Sequence, residues 1–237
     1  MRPVYNRSAM GFEVRRRLSA ADAVTLVNAI VGFVAGAVAF TDLQLAARLM
    51  LAAVVVDALD GIVARSGESS DVGPLLDSIT DVVSFGATPS LFVYVLLTER
   101  YGGIETLGVV PFLGVVLLAS CYVVFSVLRT AFYSVYFDAA EERPGMPNTL
   151  GTMILGTAFL AGVVDPVVLA IGTAVLAVVM VAPFDYPKPG ANVAIPMGVV
   201  LAVAVLAPTA FSRAGPRLML GISLLFFALG PRYYWLE

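Results

Sequence analysis

From Ala20 to Pro231 the chain runs as apolar stretches of nearly membrane-spanning length, separated by short polar or turn-rich breaks. A helix needs about 20 apolar residues to cross a bilayer core, where an open loop would strand its backbone N–H and C=O groups. Windows of that size predict crossings over residues 20–40, 43–64, 74–97, 108–133, 147–164, 167–183, 192–208 and 216–231. Only 13% of residues are charged against 59% hydrophobic, and mean hydropathy is +0.93. A soluble domain carries about 25% charged residues, so this chain lacks the polar surface to cover itself in water. The expected fold is all-α, a polytopic membrane helix bundle of about eight transmembrane helices. It forms one domain over residues 20–237, preceded by a cytoplasmic and interfacial N-terminal arm over residues 1–19.

Absences narrow the chemistry. No histidine occurs, which removes imidazole acid–base catalysis, Ser-His-Asp triads and histidine metal sites. The single Cys121 reads as a small buried hydrophobe and has no partner for an internal disulfide. A net charge of −3 offers no basic face for nucleic acid. Eight crossings put ten cationic residues on the side of the N-terminal arm and four (Arg48, Arg100, Arg213 and Arg217) on the other. That asymmetry predicts a cytoplasmic arm. Tyr233, Tyr234 and Trp235 read as an interfacial aromatic belt.

Four carboxylates interrupt the apolar pattern: Asp57 and Asp60 late in the second run, Asp77 and Asp81 early in the third. Spacings of i, i+3 and i, i+4 put each pair on one helix face. A short connection makes the two helices an antiparallel hairpin, so both pairs reach similar depth near the cytoplasmic end. Carboxylates inside membrane segments are costly and mark functional sites by default. Converging carboxylates repel unless cations bind, and an all-oxygen donor set suits Mg²⁺ or Mn²⁺. Four are enough for two ions roughly 3.5–4 Å apart, an arrangement that serves in-line displacement at phosphorus. Gly61, one turn after Asp57, leaves room for a ligand to approach the backbone. Ala58 and Ala64 keep that face low, Gly73 lets the third helix begin close to its partner, and Arg65 offers a guanidinium to phosphate. A divalent-cation transporter would use the same aspartates, but it needs a charged route to the far side. The other helices carry almost no charge beyond Arg129.

The stretch Asp57-Ala-Leu-Asp60-Gly61-Ile-Val-Ala64-Arg65, then Gly73-x3-Asp77-x3-Asp81, resembles the CDP-alcohol phosphatidyltransferase motif D-x2-D-G-x2-A-R, spacer, G-x3-D-x3-D. The spacer SGESSDV holds seven residues where the usual form has eight, which implies a tighter turn beside an intact site. The resemblance implies a six-helix family core plus two C-terminal helices, a homodimer, and attack of an alcohol hydroxyl on the lipid-side phosphorus of a CDP-lipid with CMP leaving. It implies Asp57, Asp60, Asp77 and Asp81 as ligands of two Mg²⁺ or Mn²⁺ ions, with Asp81 also the general base. Asp57, Asp60, Gly61, Ala64, Arg65, Gly73 and Asn28 would surround the CDP-lipid. Phosphoryl transfer needs positioning and charge neutralisation more than covalent chemistry, and without histidine a carboxylate is the natural base.

The run Asp77-Ser-Ile-Thr-Asp81-Val-Val-Ser84-Phe85-Gly86 is similar to D-S-x-x-D-x-x-S-F-G of the serine-accepting members of that family. Leu128-Arg129 with Gly145-Met-Pro147 and the segment Ala23–Gly32 are similar to theirs too. This implies L-serine as acceptor and CDP-diacylglycerol or CDP-archaeol as donor, at a cytoplasm-facing site in the cell membrane. Inositol phosphate, glycerol phosphate and glycerol stay open as acceptors. Ser84 at i+3 from Asp81, Arg129 as a guanidinium for the serine carboxylate, and Asn148 are the expected acceptor contacts.

Overall fold

The computed structural model describes residues 18–65, 70–136, 144–187 and 191–233, with side chains throughout except at 60–65, 191–195 and 233. Residues 1–17, which hold most of the arm, and Tyr234 and Trp235 lie outside the described residues, as does the side chain of Tyr233. The long helices are α1 (Ala20–Ala39), α2 (Leu43–Arg65), α3 (Gly73–Tyr101), α4 (Val109–Tyr136), α5 (Asn148–Ala161), α6 (Pro166–Met180), α7 (Ala191–Leu206) and α8 (Ala210–Tyr233). Of these, α1, α3, α4 and α8 are long and apolar enough to cross a membrane, and α5, α6 and the end of α7 are shorter apolar helices. The chain is a polytopic membrane helix bundle.

Local chemistry sets the helix ends. Ser19 and Asp22 form a reciprocal capping box on α1: the Asp22 N–H donates to Ser19 Oγ at 3.2 Å and the Ser19 N–H to Asp22 Oδ2 at 2.7 Å. Asp165 accepts from the N–H groups of Val167 and Val168, and Pro166 occupies the first turn, where its missing N–H costs nothing. Gly162, at φ 105°, closes α5.

The interior is built around α5, buried at every position except Thr149. It packs against α2, α6 and α8, with Phe159 edge-on to Phe92 of α3 at 5.2 Å. The outward faces stay apolar, with Val110, Leu117 and Val135 of α4 well exposed, as a lipid-facing surface requires.

Four details depart from expectation. The third helix is not a regular α-helix: over Val82–Ala87 it widens into a π-turn, where the Thr88 N–H donates to the Val83 carbonyl five residues back. Pro89 has no N–H to offer the ladder there, which lowers the cost of the shift. A single turn, Ile104–Leu107, fills the connection to α4. The eighth helix opens earlier than its apolar run, on a left-handed turn over Phe211, Ser212 and Arg213. Cys121 is exposed rather than buried, because the inward side of α4 at that level is taken by its neighbour Tyr122.

Candidate active site

The α2–α3 hairpin brings the carboxylates together. Asp57 lies on α2, and Asp77 and Asp81 stand one turn apart at the start of α3. One carboxylate oxygen from each lies within 4.8 Å of the other two. Oxygens on opposite sides of an octahedral Mg²⁺ are about 4 Å apart, given metal–oxygen distances of 2.0–2.1 Å, so small rotamer shifts close this cluster on a hard divalent ion. The residues present fit such an ion by donor type and by spacing. The backbone of α2 continues regularly through Arg65, which puts Asp60 just under one turn beyond Asp57. The side chains of Asp60, Ala64 and Arg65, and the surroundings of Gly61, lie outside the described residues.

Packing of α3 on α1 sets the register of the carboxylates. A β-carbon on Gly73 would sit 3.1 Å from Asp22 Oδ1, so the first residue of α3 rests on the capped start of α1. Three turns further on, the Ser84 hydroxyl donates to the Asn28 carbonyl at 3.1 Å and the Thr88 hydroxyl to the Gly32 carbonyl at 2.8 Å. Gly32 permits this approach, because a β-carbon there would fall 2.8 Å from Ser84 Cα. Ser84, expected beside Asp81 for the acceptor, is instead fully buried against α1. The π-turn that starts after Asp81 changes the helical phase and turns it there. Asn28 is also fully buried, and its Oδ1 and Nδ2 have no hydrogen-bond partner among the described residues.

A second wall comes from α4, α5 and the segment before α5. Asn148, the first residue of α5, is buried and donates from Nδ2 to the Thr130 hydroxyl at 2.8 Å. Its Oδ1 has no partner among the described residues. The Arg129 guanidinium stacks 4.8 Å from the centre of the Tyr133 ring. Its stem runs beside Gly145, whose φ of 82° and closeness to the Met180 carbonyl both exclude a side chain. Gly145 and Met146 in turn donate to the carbonyls of Phe184 and Val179, which fixes this segment to the end of α6.

Reading motifs alone overlooked a line of polar groups on α4: Tyr122, Ser126, Thr130 and Ser134, each four residues apart. The first three are buried, and Ser134 lies 2.8 Å from Ser78, the residue after Asp77. That contact joins the Asn148–Thr130 pair to the carboxylate end of α3. The i, i+4 repeat of hydroxyls in an apolar helix was the available signal.

A profile of the CDP-alcohol phosphatidyltransferase family matches residues 18–184, which holds the whole of this arrangement. The chain belongs to that family. It is therefore a membrane-embedded transferase of phospholipid synthesis. It is 27% identical over 172 residues to the archaetidylserine synthase of Methanothermobacter thermautotrophicus, covering 70% of this chain and 69% of that one. It is 30% identical over 166 residues to the CDP-diacylglycerol–serine O-phosphatidyltransferase of Bacillus subtilis, covering 69% and 87%. A Methanocaldococcus jannaschii protein of the latter name is 40% identical over 84 residues, covering 35% and 39%. The family match takes in α1 to α6, and α7 and α8 lie beyond it.

Proposed function

We propose that this chain transfers the phosphatidyl or archaetidyl group of a CDP-lipid to the hydroxyl of L-serine and releases CMP, at a site facing the cytoplasm. The observation that carries the reading is the convergence of Asp57, Asp77 and Asp81 in a family whose matched relatives are named for serine transfer. Asp57, Asp60, Asp77 and Asp81 hold two divalent ions, Mg²⁺ or Mn²⁺. When bound, these ions supply charge neutralisation at the pyrophosphate. Gly61, Ala64, Arg65, Gly73 and Asn28 line the CDP-lipid beside Asp57 and Asp60. The Asn28 amide, buried without a partner among the described residues, is suited to a nucleotide group.

Asp81 accepts the proton of the serine hydroxyl as that oxygen bonds to the lipid-side phosphorus and the bond to CMP breaks. The Arg129 guanidinium pairs with the serine carboxylate. The Oδ1 of Asn148, without a partner among the described residues, accepts from the serine ammonium, while Thr130 holds the other end of the amide. Ser84 serves by position, tying the Asp81 segment to α1. The family resemblance supports a homodimer.

The test is CMP release by purified protein given CDP-lipid, Mg²⁺ or Mn²⁺, and one alcohol at a time. Serine-dependent CMP that vanishes in Asp81→Asn supports the reading. Release only with a phosphorylated alcohol would move the acceptor, and silence with every alcohol in folded protein would return the aspartates to cation transport.

A further inference from the structure

The end of the bundle away from the aspartates carries the other notable cluster of charge. There the start of α2, the end of α5, the end of α7 and the start of α8 meet. Arg48 Nε donates to the Val205 carbonyl at 2.7 Å, and Arg217 Nε points to the Ala161 carbonyl at 3.5 Å. Arg213 joins them: its Nη1 lies so near Gly162 that a β-carbon there would meet it at 2.8 Å. Arg213 and Arg217 therefore both stand on the last turn of α5, against its exposed carbonyls.

Capping alone does not account for this arrangement. A guanidinium has five N–H donors in a flat fork, and Arg48 and Arg217 each give Nε to a carbonyl, which leaves the paired Nη groups. Two acids at this end serve as helix caps: Asp42 accepts from the Leu45 N–H, and Asp165 from those of Val167 and Val168. The backbone is bent to bring Arg213 in. Phe211, Ser212 and Arg213 run left-handed at φ 48°, 55° and 66°, a conformation costly for any residue with a β-carbon. The same turn thrusts out Phe211, which is 91% exposed. Guanidiniums beside an exposed phenyl ring, at the end of a membrane bundle, suit a lipid with a phosphate headgroup and an apolar chain.

We propose that Arg213 and Arg217, flanked by Arg48, bind the phosphate of an anionic membrane lipid, with Phe211 against its chain. This lipid is not the donor of the transfer reaction, whose carboxylates lie at the other end of the helices. Its role is to clasp α8 to α5, and so to hold the two helices outside the family match onto the core.

The experiment uses the full chain, delipidated in detergent and titrated with phosphatidylglycerol or phosphatidylcholine, with bound lipid counted by native mass spectrometry. Wild type retains phosphatidylglycerol preferentially. Arg213→Gln with Arg217→Gln weakens that retention about fivefold for each arginine removed. Equal retention of both lipids by wild type overturns the proposal, as does undiminished retention by the folded double variant. Displacement by inorganic phosphate at matched concentration would make it a free-anion site and also overturn it. If the double Gln variant does not fold, the wild-type preference and its persistence in Arg213→Lys with Arg217→Lys decide the matter. CMP release by the same preparations reads the transferase separately, so failure of either idea is visible alone.

Discussion

Ser84 donates its hydroxyl to the main-chain carbonyl of Asn28, 3.1 Å away, and Thr88 repeats the contact one turn later on Gly32. These bonds hold α3 at one height along α1, and that height sets where Asp77 and Asp81 meet Asp57. The contact is closest at Gly32, where an added methyl would strike the Ser84 backbone as well as its side chain. Gly32→Ala should therefore destabilise the protein by about 1–3 kcal/mol. Ser84→Ala, which loses one hydroxyl, should cost about 1 kcal/mol. Thermal unfolding in detergent ranks the two, and equal midpoints would remove this contact as the constraint.

Binding of a divalent ion should stabilise the fold through the Asp57–Asp77–Asp81 cluster. At a hundred times its dissociation constant the gain is about 2.7 kcal/mol. Mn²⁺ should raise the melting midpoint of wild type and leave Asp77→Asn nearly unmoved. EDTA should silence CMP release, with recovery on adding Mg²⁺ or Mn²⁺.

Replacing Asp81 by Asn keeps the shape and removes the base together with one charged ligand of the ions. CMP release should fall about 10²–10⁴-fold, the usual worth of a positioned proton acceptor. Donor lipid should still bind, and a variant that keeps most of the wild-type rate would assign the proton to another group.

The Arg129 and Asn148 wall should govern serine affinity. Arg129→Lys keeps the charge and loses the fork, so the KM for serine should rise about tenfold, as for loss of one charge-assisted hydrogen bond. Thr130→Val, which leaves Asn148 Nδ2 without its acceptor, should move KM in the same direction. Unchanged KM in both variants would place the acceptor elsewhere.

Tyr186, in the segment after α6, donates to the Phe227 carbonyl of α8 at 3.1 Å, and burial pushes its phenol up to about 12. An unfolded chain releases that proton near pH 10. The group's stabilising contribution is therefore complete below pH 10 and is lost as pH rises through about 12. Tyr186→Phe should melt lower than wild type at neutral pH and lose less stability over that alkaline window, which a pH series of melting midpoints would show.

Much of this architecture was legible from residue order, for particular reasons. The apolar runs marked the helices because a bilayer admits few alternatives, and breaks such as Asp165-Pro166 carry their own capping chemistry. Asp57, Asp77 and Asp81 could be grouped because helical spacing and a short hairpin leave little freedom. The place of Ser84 was not legible, because i+3 implies one face only while the helix stays regular, and the π-turn intervenes just after Asp81. The joining of Asn148 to Thr130, 18 residues apart, depends on where tertiary packing sets the start of α5 against α4, which no local pattern encodes. The left-handed turn at Phe211–Arg213 is written in residues with no preference for it, so only tertiary packing reveals it.

The π-turn over Val82–Ala87 has one more consequence. A widened turn holds one residue more than a regular one, so it works as a frame shift within a continuous helix. Upstream, the frame points aspartates at the chemistry; downstream, it points Thr88 and Phe92 at neighbouring helices. Straightening the turn into a regular α-helix with the same number of residues would swing one half against the other by about 100°. The width of this short turn is thus as much a part of the motif as its aspartates, and substitutions that force its residues into a regular α-helix should fail even with every aspartate in place.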